Sequence, residues 1–179
     1  MSHFVHCLPG VAVCALLLGS AGAAVALDAV GSAATVADTV RRESEKIVLG
    51  TAIFGGDRIN SDADGLAQFK LRDGTKLVVG PNSSLLIDEF VYATDRSTAT
   101  IVVSALKGVL RWISGAGKPA RHTLKTALGS LAIRRTAFDL YALPDQSMAI
   151  VLYQGIVDFC TPDGACKRID RRCDVLVVD

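Results

Sequence analysis

The feature of this sequence that most restricts its fold is a succession of short apolar segments, each ended by turn-forming residues. From Lys46 onwards, no helical spacing of apolar residues persists over several turns. Residues 66–71 instead alternate, with Ala67, Phe69 and Leu71 on one face, and other segments are dense in Val, Ile and Thr. This pattern predicts an all-β domain of short stacked antiparallel strands, and it leaves a sandwich, a barrel and a β-roll as alternatives.

The clearest turn signal is the pair Asp73–Gly74, which separates two alternating apolar segments. Leu77 and Val79 continue the apolar face after the turn. Alternating segments joined by Asp-Gly predict a hairpin with a two-residue type I′ loop. Glycine suits such a loop because the turn requires positive φ.

The N-terminal 26 residues contain no Asp, Glu, Lys or Arg. An apolar run at 11–18 leads to small residues and to the A-x-A pattern at 24–26, so residues 1–26 are predicted to be a cleaved secretory signal peptide. The alternative is an uncleaved membrane anchor, but the run is shorter than the roughly 20 apolar residues that a spanning helix needs. A lipoprotein signal at Cys14 is disfavoured because Val13 stands where a small residue is required.

The remaining chain has the length of one domain. We predict a lead-in segment at 27–45, with a short strand around Thr35 and Val36, and a β-domain at 46–179. An exported chain is expected in the periplasm or outside the cell, with membrane contact only if the signal stays uncleaved. A net charge of +1 argues against a nucleic-acid partner, and 50% hydrophobic residues argue against disorder.

Four segments, at 74–92, 107–115, 129–138 and 154–157, together resemble the FecR-domain family over roughly residues 46–160. The residues that carry the resemblance are Gly74, Pro81, Asn82, Ser83, Gly108, Arg111, Gly115, Gly129, Arg134, Thr136, Phe138 and Gly155. The resemblance implies a periplasmic, β-roll or β-sandwich-like domain of short stacked strands. It also implies a regulatory role, since the best-known members sense a loaded outer-membrane receptor in iron uptake and signal across the inner membrane to a sigma factor.

The sequence departs from that family pattern in two respects. The regulators carry a cytoplasmic segment before a membrane span, for which this chain has no room, so it resembles the stand-alone secreted variety and no direct sigma-factor contact is expected. Arg135 also occupies the place of a glycine between Arg134 and Thr136. If that position has positive φ, Arg135 is strained there.

Few residues could support catalysis or metal binding. His122 is the only histidine after residue 26, which leaves too few ligands for a His-rich metal site and one candidate base for a Ser-His-Asp triad. Lying between Arg121 and Thr123 at a strand start, it is interpreted as an exposed surface residue. Asp88 and Glu89 are adjacent and would point to opposite faces, unlike glycosidase carboxylates. We therefore predict a non-enzymatic protein with no metal or cofactor, and keep a hydrolase that uses His122 as a minor alternative.

Three cysteines follow the predicted signal peptide. Cys160 and Cys166 flank a turn at 161–165, and strand pairing there would bring them within disulfide distance in an oxidising compartment. Cys173 has three interpretations: it could replace either partner, stay buried as a small hydrophobe, or pair between chains.

The sequence has several clusters of basic residues, which could form a binding surface, and a single tryptophan. The basic clusters comprise Arg111, Lys118, Arg121 and Lys125, then Arg134 with Arg135, Lys167 with Arg168, and Arg171 with Arg172. They are interpreted as a solvated surface, and the alternative is a patch for anionic envelope polymers or an acidic partner. Trp112 lies in an apolar strand and is predicted to be core.

The leading hypothesis is a periplasmic interaction or regulatory module that takes part in envelope signalling. It would bind an envelope protein through an exposed strand edge or loops such as 114–120. The alternative is a structural adaptor that binds peptidoglycan or surface polysaccharide.

Overall fold

The computed structural model describes residues 28–92, 99–116, 121–143, 145 and 147–179. The described residues form strands and turns and no helix, which confirms the all-β prediction. The strands are β1 Gly31–Ala37, β2 Val40–Arg42, β3 Glu45–Lys46, β4 Ala52–Ile53, β5 Arg58–Ser61, β6 Leu66–Leu71, β7 Lys76–Val79, β8 Ser84–Tyr92, β9 Ala99–Ile113, β10 Arg121–Thr126, β11 Gly129–Ala142, β12 Met148–Cys160, β13 Cys166–Ile169 and β14 Val175–Val178. In this part of the chain nothing has the helical length and apolarity needed to cross a bilayer. The predicted signal peptide at 1–26 lies outside the described residues.

The strands form one mixed sheet that is not closed. Its main path runs β13-β12-β11-β10-β9-β7-β6-β1-β4, while β14 pairs with β12, and β8 connects β9 to β5. The ladders are antiparallel except that between β9 and β10, where Thr100 pairs with Arg121 and Ser104 with Lys125 in parallel. The parallel ladder places the start of β10 beside the first half of β9.

Each of the three long strands changes partners at a residue with positive φ. β9 pairs with β8 and β10 before Gly108 and with β7 and β11 after it. β11 changes from β10 to β9 at Arg135, and β12 changes from β14 to β13 at Gly155. The φ angles are 88° at Gly108, 47° at Arg135 and 88° at Gly155. These bends turn the sheet so that the buried side chains of both parts form one hydrophobic cluster.

The largest fully buried side chains are those of Trp112, Phe69 and Phe138. Trp112 and Phe138 are fully buried and stack with ring centroids 6.4 Å apart, which confirms the prediction for Trp112. The predicted face of Ala67, Phe69 and Leu71 is also buried. Burying a large apolar side chain contributes roughly 1.5–3 kcal/mol, so this cluster is the main source of the fold's stability.

The segment predicted as a lead-in contributes to the same sheet. β1, which includes the predicted strand at Thr35 and Val36, pairs with both β4 and β6. Val30, Ala33 and Val40 are buried in the hydrophobic cluster. These strands therefore pack with the rest of the domain.

β6 and β7 form the predicted hairpin, but the predicted turn type is wrong. Leu71 N donates to Thr75 O (2.8 Å) and Gly74 N donates to Leu71 O (3.0 Å). Gly74 has a φ of 85°, whereas Asp73 is not in the positive-φ region that a type I′ turn requires of it. The pattern is a type I turn followed by a glycine bulge. The reason is the Asp73 carboxylate, which accepts a hydrogen bond from Thr75 N (2.9 Å) and so holds the turn.

Candidate interaction site

A three-residue polar cluster lies on the outer face of β9, β11 and β12. Arg111 and Asp139 are direct cross-strand partners, and Tyr153 follows on the neighbouring strand. Arg111 Nε and Nη2 donate to the two oxygens of Asp139 at 2.6 and 2.7 Å. Tyr153 OH donates to Asp139 Oδ2 at 2.8 Å, and the Arg111 guanidinium lies 5.2 Å from the Tyr153 ring centroid. The cluster is therefore held by a bidentate ion pair and a cation–π contact.

The charges of this cluster follow from its burial. Asp139 is almost fully buried while the Arg111 side chain is half exposed. Burial alone would raise the pKa of Asp139, but hydrogen bonds from Arg111 and Tyr153 outweigh it and lower the pKa below its usual value. The bond to the carboxylate raises the pKa of Tyr153. The cluster therefore presents a fixed guanidinium to solvent. The Asp139 carboxylate beneath it carries a negative charge that this guanidinium balances.

A shallow groove of about 560 Å³ lies next to Tyr153, where β12 bends. Its lining residues are Ala137, Tyr153, Gln154, Gly155, Asp170 and Arg172. Gly155 is required here, because a Cβ would lie 2.3 Å from Arg135 O. The side chains of Asp170 and Arg172 make no hydrogen bond or ion pair to any residue that the structure describes. The groove therefore offers one acidic and one basic side chain to a ligand.

A second polar cluster is enclosed where the β6–β7 turn meets β10. His122 Nε2 lies 2.8 Å from Asp73 Oδ2, and Thr75 Oγ1 donates to the same oxygen at 2.7 Å. His122 is 7% exposed and its ring lies 5.1 Å from that of Trp112. The interpretation of His122 as a surface residue is therefore wrong. The strand alternation places it on the inner face with Leu124, and the parallel ladder with β9 brings it under the turn.

This cluster also fixes the beginning of the loop that was predicted to bind partners. Burial raises the pKa of Asp73, but hydrogen bonds from His122 and Thr75 outweigh it and lower that pKa overall. Gly115 N donates to Thr75 Oγ1 at 3.3 Å, so the chain leaves β9 attached to the hairpin. Residues 117–120, including Lys118, lie outside the described residues.

No serine hydroxyl of the described residues hydrogen-bonds to His122. The recorded hydrogen-bond partners of His122 are Asp73 and Thr75. The Ser114 hydroxyl instead accepts bonds from Trp112 Nε1 and Thr136 N, both at 3.1 Å. Among the described residues there is no group of three His, Cys, Asp or Glu side chains that could hold a metal ion.

Residues that carry the family resemblance meet in pairs across the sheet. The Ser83 hydroxyl donates to Val109 O and accepts from Val109 N, and a Cβ on Gly108 would lie 2.3 Å from that hydroxyl. The buried Thr136 hydroxyl bonds to Ile156 O beside Gly155. These contacts form at the bends, so they position the long strands.

Other residues that carry the family resemblance also have a structural role, at turns and at close backbone contacts. Gly115 packs on Gly74, since a Cβ on Gly115 would lie 2.6 Å from the Gly74 carbonyl carbon. Pro81 and Asn82 form the turn before β8, where Asn82 has a φ of 52°. A Cβ on Gly129 would lie 2.3 Å from Cys160 O.

The two arginines at the bend of β11 differ from these residues. Arg134 and Arg135 are exposed, and Arg135 has the positive φ that was expected at the glycine position. A non-glycine residue costs roughly 1–2 kcal/mol in this conformation. Arg135 therefore stores strain at the point where β11 changes partners.

The structure also shows the state of the three cysteines that follow residue 26. Cys160 and Cys166 are cross-strand partners and form the predicted disulfide. Cys173 is free and exposed, so the interpretation of it as a buried hydrophobe is wrong.

The basic residues are partly ion-paired. Lys125 lies 3.9 Å from Asp88, and Arg168 Nε donates to Asp158 at 2.6 Å. Ion pairs at the surface contribute little to stability, so these two pairs are not a main source of the fold's stability.

Comparisons with known proteins agree with this fold. A family model described as FecR protein matches residues 57–158, more than half of the chain. Two crystal structures of a candidate anti-sigma factor from Parabacteroides distasonis ATCC 8503, at 1.65 and 2.50 Å resolution, are similar with a TM-score of 0.52 and 17% identity in each case. The likeness covers 68% of this chain and 54% of each of those chains, so this chain spans about half of their length. No curated protein matches the sequence.

Proposed function

The chain belongs to the FecR protein family, and on that premise we propose that it is a non-catalytic regulatory module that binds an envelope protein outside the cytoplasm. The observation that carries the proposal is the family match over residues 57–158, which includes every residue of both polar clusters. The likeness to a candidate anti-sigma factor supports a regulatory fold.

The geometry favours binding over chemistry. The Asp139 carboxylate is neutralised by Arg111, and the Asp73 carboxylate is enclosed with His122 and Thr75. Neither carboxylate is presented to a substrate as an acid or a base. The groove beside Tyr153 offers Gln154, Asp170 and Arg172 as polar contacts, as an interaction site does.

Action outside the cytoplasm is proposed from two observations. The sequence of residues 1–26 has the pattern of a secretory signal peptide. The Cys160–Cys166 disulfide suits an oxidising compartment such as the periplasm. Amino-terminal sequencing of the protein from a periplasmic fraction should begin at Leu27, and a cytoplasmic location of the whole chain would contradict the proposal.

Binding is tested by affinity capture with matched variants. The immobilised protein is exposed to an envelope extract of the source bacterium, alongside Arg172→Glu and the control Arg41→Glu. Arg172 lines the groove, whereas Arg41 is exposed on β2 away from it. We expect one envelope protein to be retained by the wild type and by Arg41→Glu and to be lost by Arg172→Glu.

Two outcomes of the capture experiment would contradict the proposal. Enrichment of glycan without a specific protein would favour the structural adaptor that binds peptidoglycan or surface polysaccharide. Equal capture by all three proteins would remove the groove as the site. A protein that acts wholly outside the cytoplasm would not contact a sigma factor, so none is expected in the eluate.

A further inference from the structure

The bend of β11 carries two neighbouring arginines that both face solvent. In a regular strand consecutive side chains point to opposite faces, but Arg134 and Arg135 are both exposed, between the buried Ile133 and Thr136. The alternation is interrupted at Arg135, which has the positive φ and lies where β11 changes partners. Arg135 makes no hydrogen bond or ion pair with any residue that the structure describes. A strained backbone therefore carries a guanidinium that no described side chain engages.

Arg135 borders the groove that lies beside Tyr153. Its carbonyl oxygen occupies the space that a Cβ on Gly155 would need, and Gly155 lines the groove. Ala137, two residues further along β11, lines the groove as well. The segment that follows β13 contributes Arg172 to the same groove. Two exposed arginines from distant parts of the chain therefore lie at one groove.

The segment that leads into this groove is basic. Residues 167–172 comprise four basic residues and one acidic residue, although the net charge of the whole chain is only +1. Arg168 is already paired with Asp158, whereas Arg172 has no partner among the described residues. A guanidinium can hold a carboxylate through two parallel hydrogen bonds. The groove therefore suits a ligand that carries a carboxylate.

We propose that this groove binds an acidic side chain of a partner protein, and that Arg135 and Arg172 are the residues that hold its carboxylate. This inference rests on the proposed function as a protein-binding module, and it specifies the chemistry of the segment that the partner inserts. It also gives a reason for the strain at Arg135, since the bend turns this side chain to the surface where the groove opens.

Asp170 in the same groove favours a protein segment over an anionic polymer. A polymer with a negative charge on every unit would bring like charges against Asp170, and such contacts disfavour a partner. A protein segment can instead place a neutral or basic residue there, next to its acidic one. The Gln154 side chain adds an amide that can donate to or accept from the backbone of that segment.

The test is an NMR titration of the isotopically labelled protein with a capped peptide that contains two glutamates followed by a lysine. The matched probe is the same peptide with glutamine in place of both glutamates. Millimolar affinity suffices for detection. We expect the glutamate peptide to shift the amides of Ala137, Gln154 and Gly155, and to bind about tenfold more tightly than the glutamine peptide. Added salt should weaken the glutamate peptide alone.

Four variants separate the role of the two arginines in binding from a structural one. Arg172→Gln, Arg135→Gln and Arg135→Gly should each weaken the glutamate peptide about tenfold, the loss of one charged contact. Arg135→Gly should not lower the urea midpoint, because glycine adopts positive φ without strain. Arg41→Gln is the matched control, since Arg41 is exposed on β2, and it should bind like the wild type.

Several outcomes would overturn the inference. Equal binding of the two peptides, shifts confined to residues away from the groove, or undiminished binding by both Arg135 variants would each do so. Tighter binding of polygalacturonate at the same amides would identify an anionic polysaccharide as the occupant and would overturn it too.

The capture experiment distinguishes this inference from the proposed function. An envelope protein retained as strongly by Arg135→Gln as by the wild type would leave the proposed function standing and contradict the role of Arg135. Binding of the glutamate peptide that depends on both arginines, without any captured protein, would support the carboxylate site and contradict the proposed function.

Discussion

The two polar clusters are both built around one aspartate with a basic neighbour, yet they differ in enclosure and in how they are assembled. Asp73 and His122 are separated by 49 residues and are both nearly inaccessible. Asp139 and Arg111 are direct partners on neighbouring strands, and Arg111 is half exposed. The enclosed cluster therefore joins distant parts of the chain. The exposed cluster instead lies on the ladder between β9 and β11, which other contacts already stabilise.

The difference indicates which cluster stabilises the fold and which is available to a partner. Removing one member of an enclosed pair leaves buried groups without partners, and this costs more than losing a solvated contact. A half-exposed guanidinium can instead exchange its contacts with water or a ligand. We expect the free energy of unfolding to depend more on Asp73 than on Arg111.

The largest effect is expected for Asp73→Ala. This change leaves His122 Nε2, Thr75 N and Thr75 Oγ1 without their acceptor, and should lower the free energy of unfolding by about 3 kcal/mol. Urea denaturation measures the loss. The control is Asp64→Ala, at an exposed turn residue, which should change stability by less than about 0.5 kcal/mol. Equal losses would mean that the enclosed cluster has no special role.

A smaller effect, with an informative asymmetry, is expected in the exposed cluster. Arg111→Met removes the guanidinium from the buried Asp139 carboxylate, which keeps only tyrosine hydroxyls as side-chain donors, and should cost about 2 kcal/mol, already reduced for the exposure of Arg111. Asp139→Asn leaves a solvated guanidinium and should cost about 1 kcal/mol. The two urea midpoints give the order directly. The reverse order would show that the arginine, and not the carboxylate, is the group that needs its partner.

The pH dependence of stability tests a property that the two clusters share. Both aspartates have a lowered pKa in the folded protein, Asp73 and Asp139 alike. Each therefore stabilises the fold above its unfolded pKa of about 3.9, and that contribution is lost as the pH falls through the lower folded value. Urea midpoints measured from pH 6 to acid should be steady and then decline below about pH 4. Asp73→Asn and Asp139→Asn should each flatten the decline, and an unaltered decline in both would refute the assignment.

The smallest effect is expected for Tyr153→Phe. The hydroxyl donates one hydrogen bond to Asp139 from a partly exposed ring, so its loss should cost roughly 0.5–1 kcal/mol. A double-mutant cycle with Arg111→Met isolates the coupling of the two donors through their shared carboxylate. Strict additivity would show that the two donors act independently, and the three residues would then not be one cluster.

Features decided by neighbouring residues were predictable. The alternation at 66–71 gave the buried face of β6, and the Thr161–Ala165 turn gave the Cys160–Cys166 pairing. The positive φ of Arg135 was expected because the family pattern has a glycine at that position. Even the hairpin turn failed only in its type, because the side chain of Asp73 bonds to the backbone two residues on.

The partners of the two clusters were not predictable in the same way. Asp139 and Tyr153 carried no motif, and their meeting with Arg111 depends on the registers of two ladders. Strand alternation offers one weak signal, since it places Asp139 on the face opposite Phe138 and Leu140. His122 was misjudged because its polar neighbours Arg121 and Thr123 suggested a surface position, whereas the parallel ladder encloses it.

The sequence by itself therefore determined an all-β domain, the position of its hairpin turn and its disulfide, because alternation, turn chemistry and short-range pairing act between near neighbours. Only the tertiary structure decided that β9, β11 and β12 bend at Gly108, Arg135 and Gly155, and that β14 pairs with β12 alone among the described strands. Those features depend on which strands pair over long separations. Pairing of that kind is set by the packing of the whole hydrophobic cluster, which no local pattern encodes.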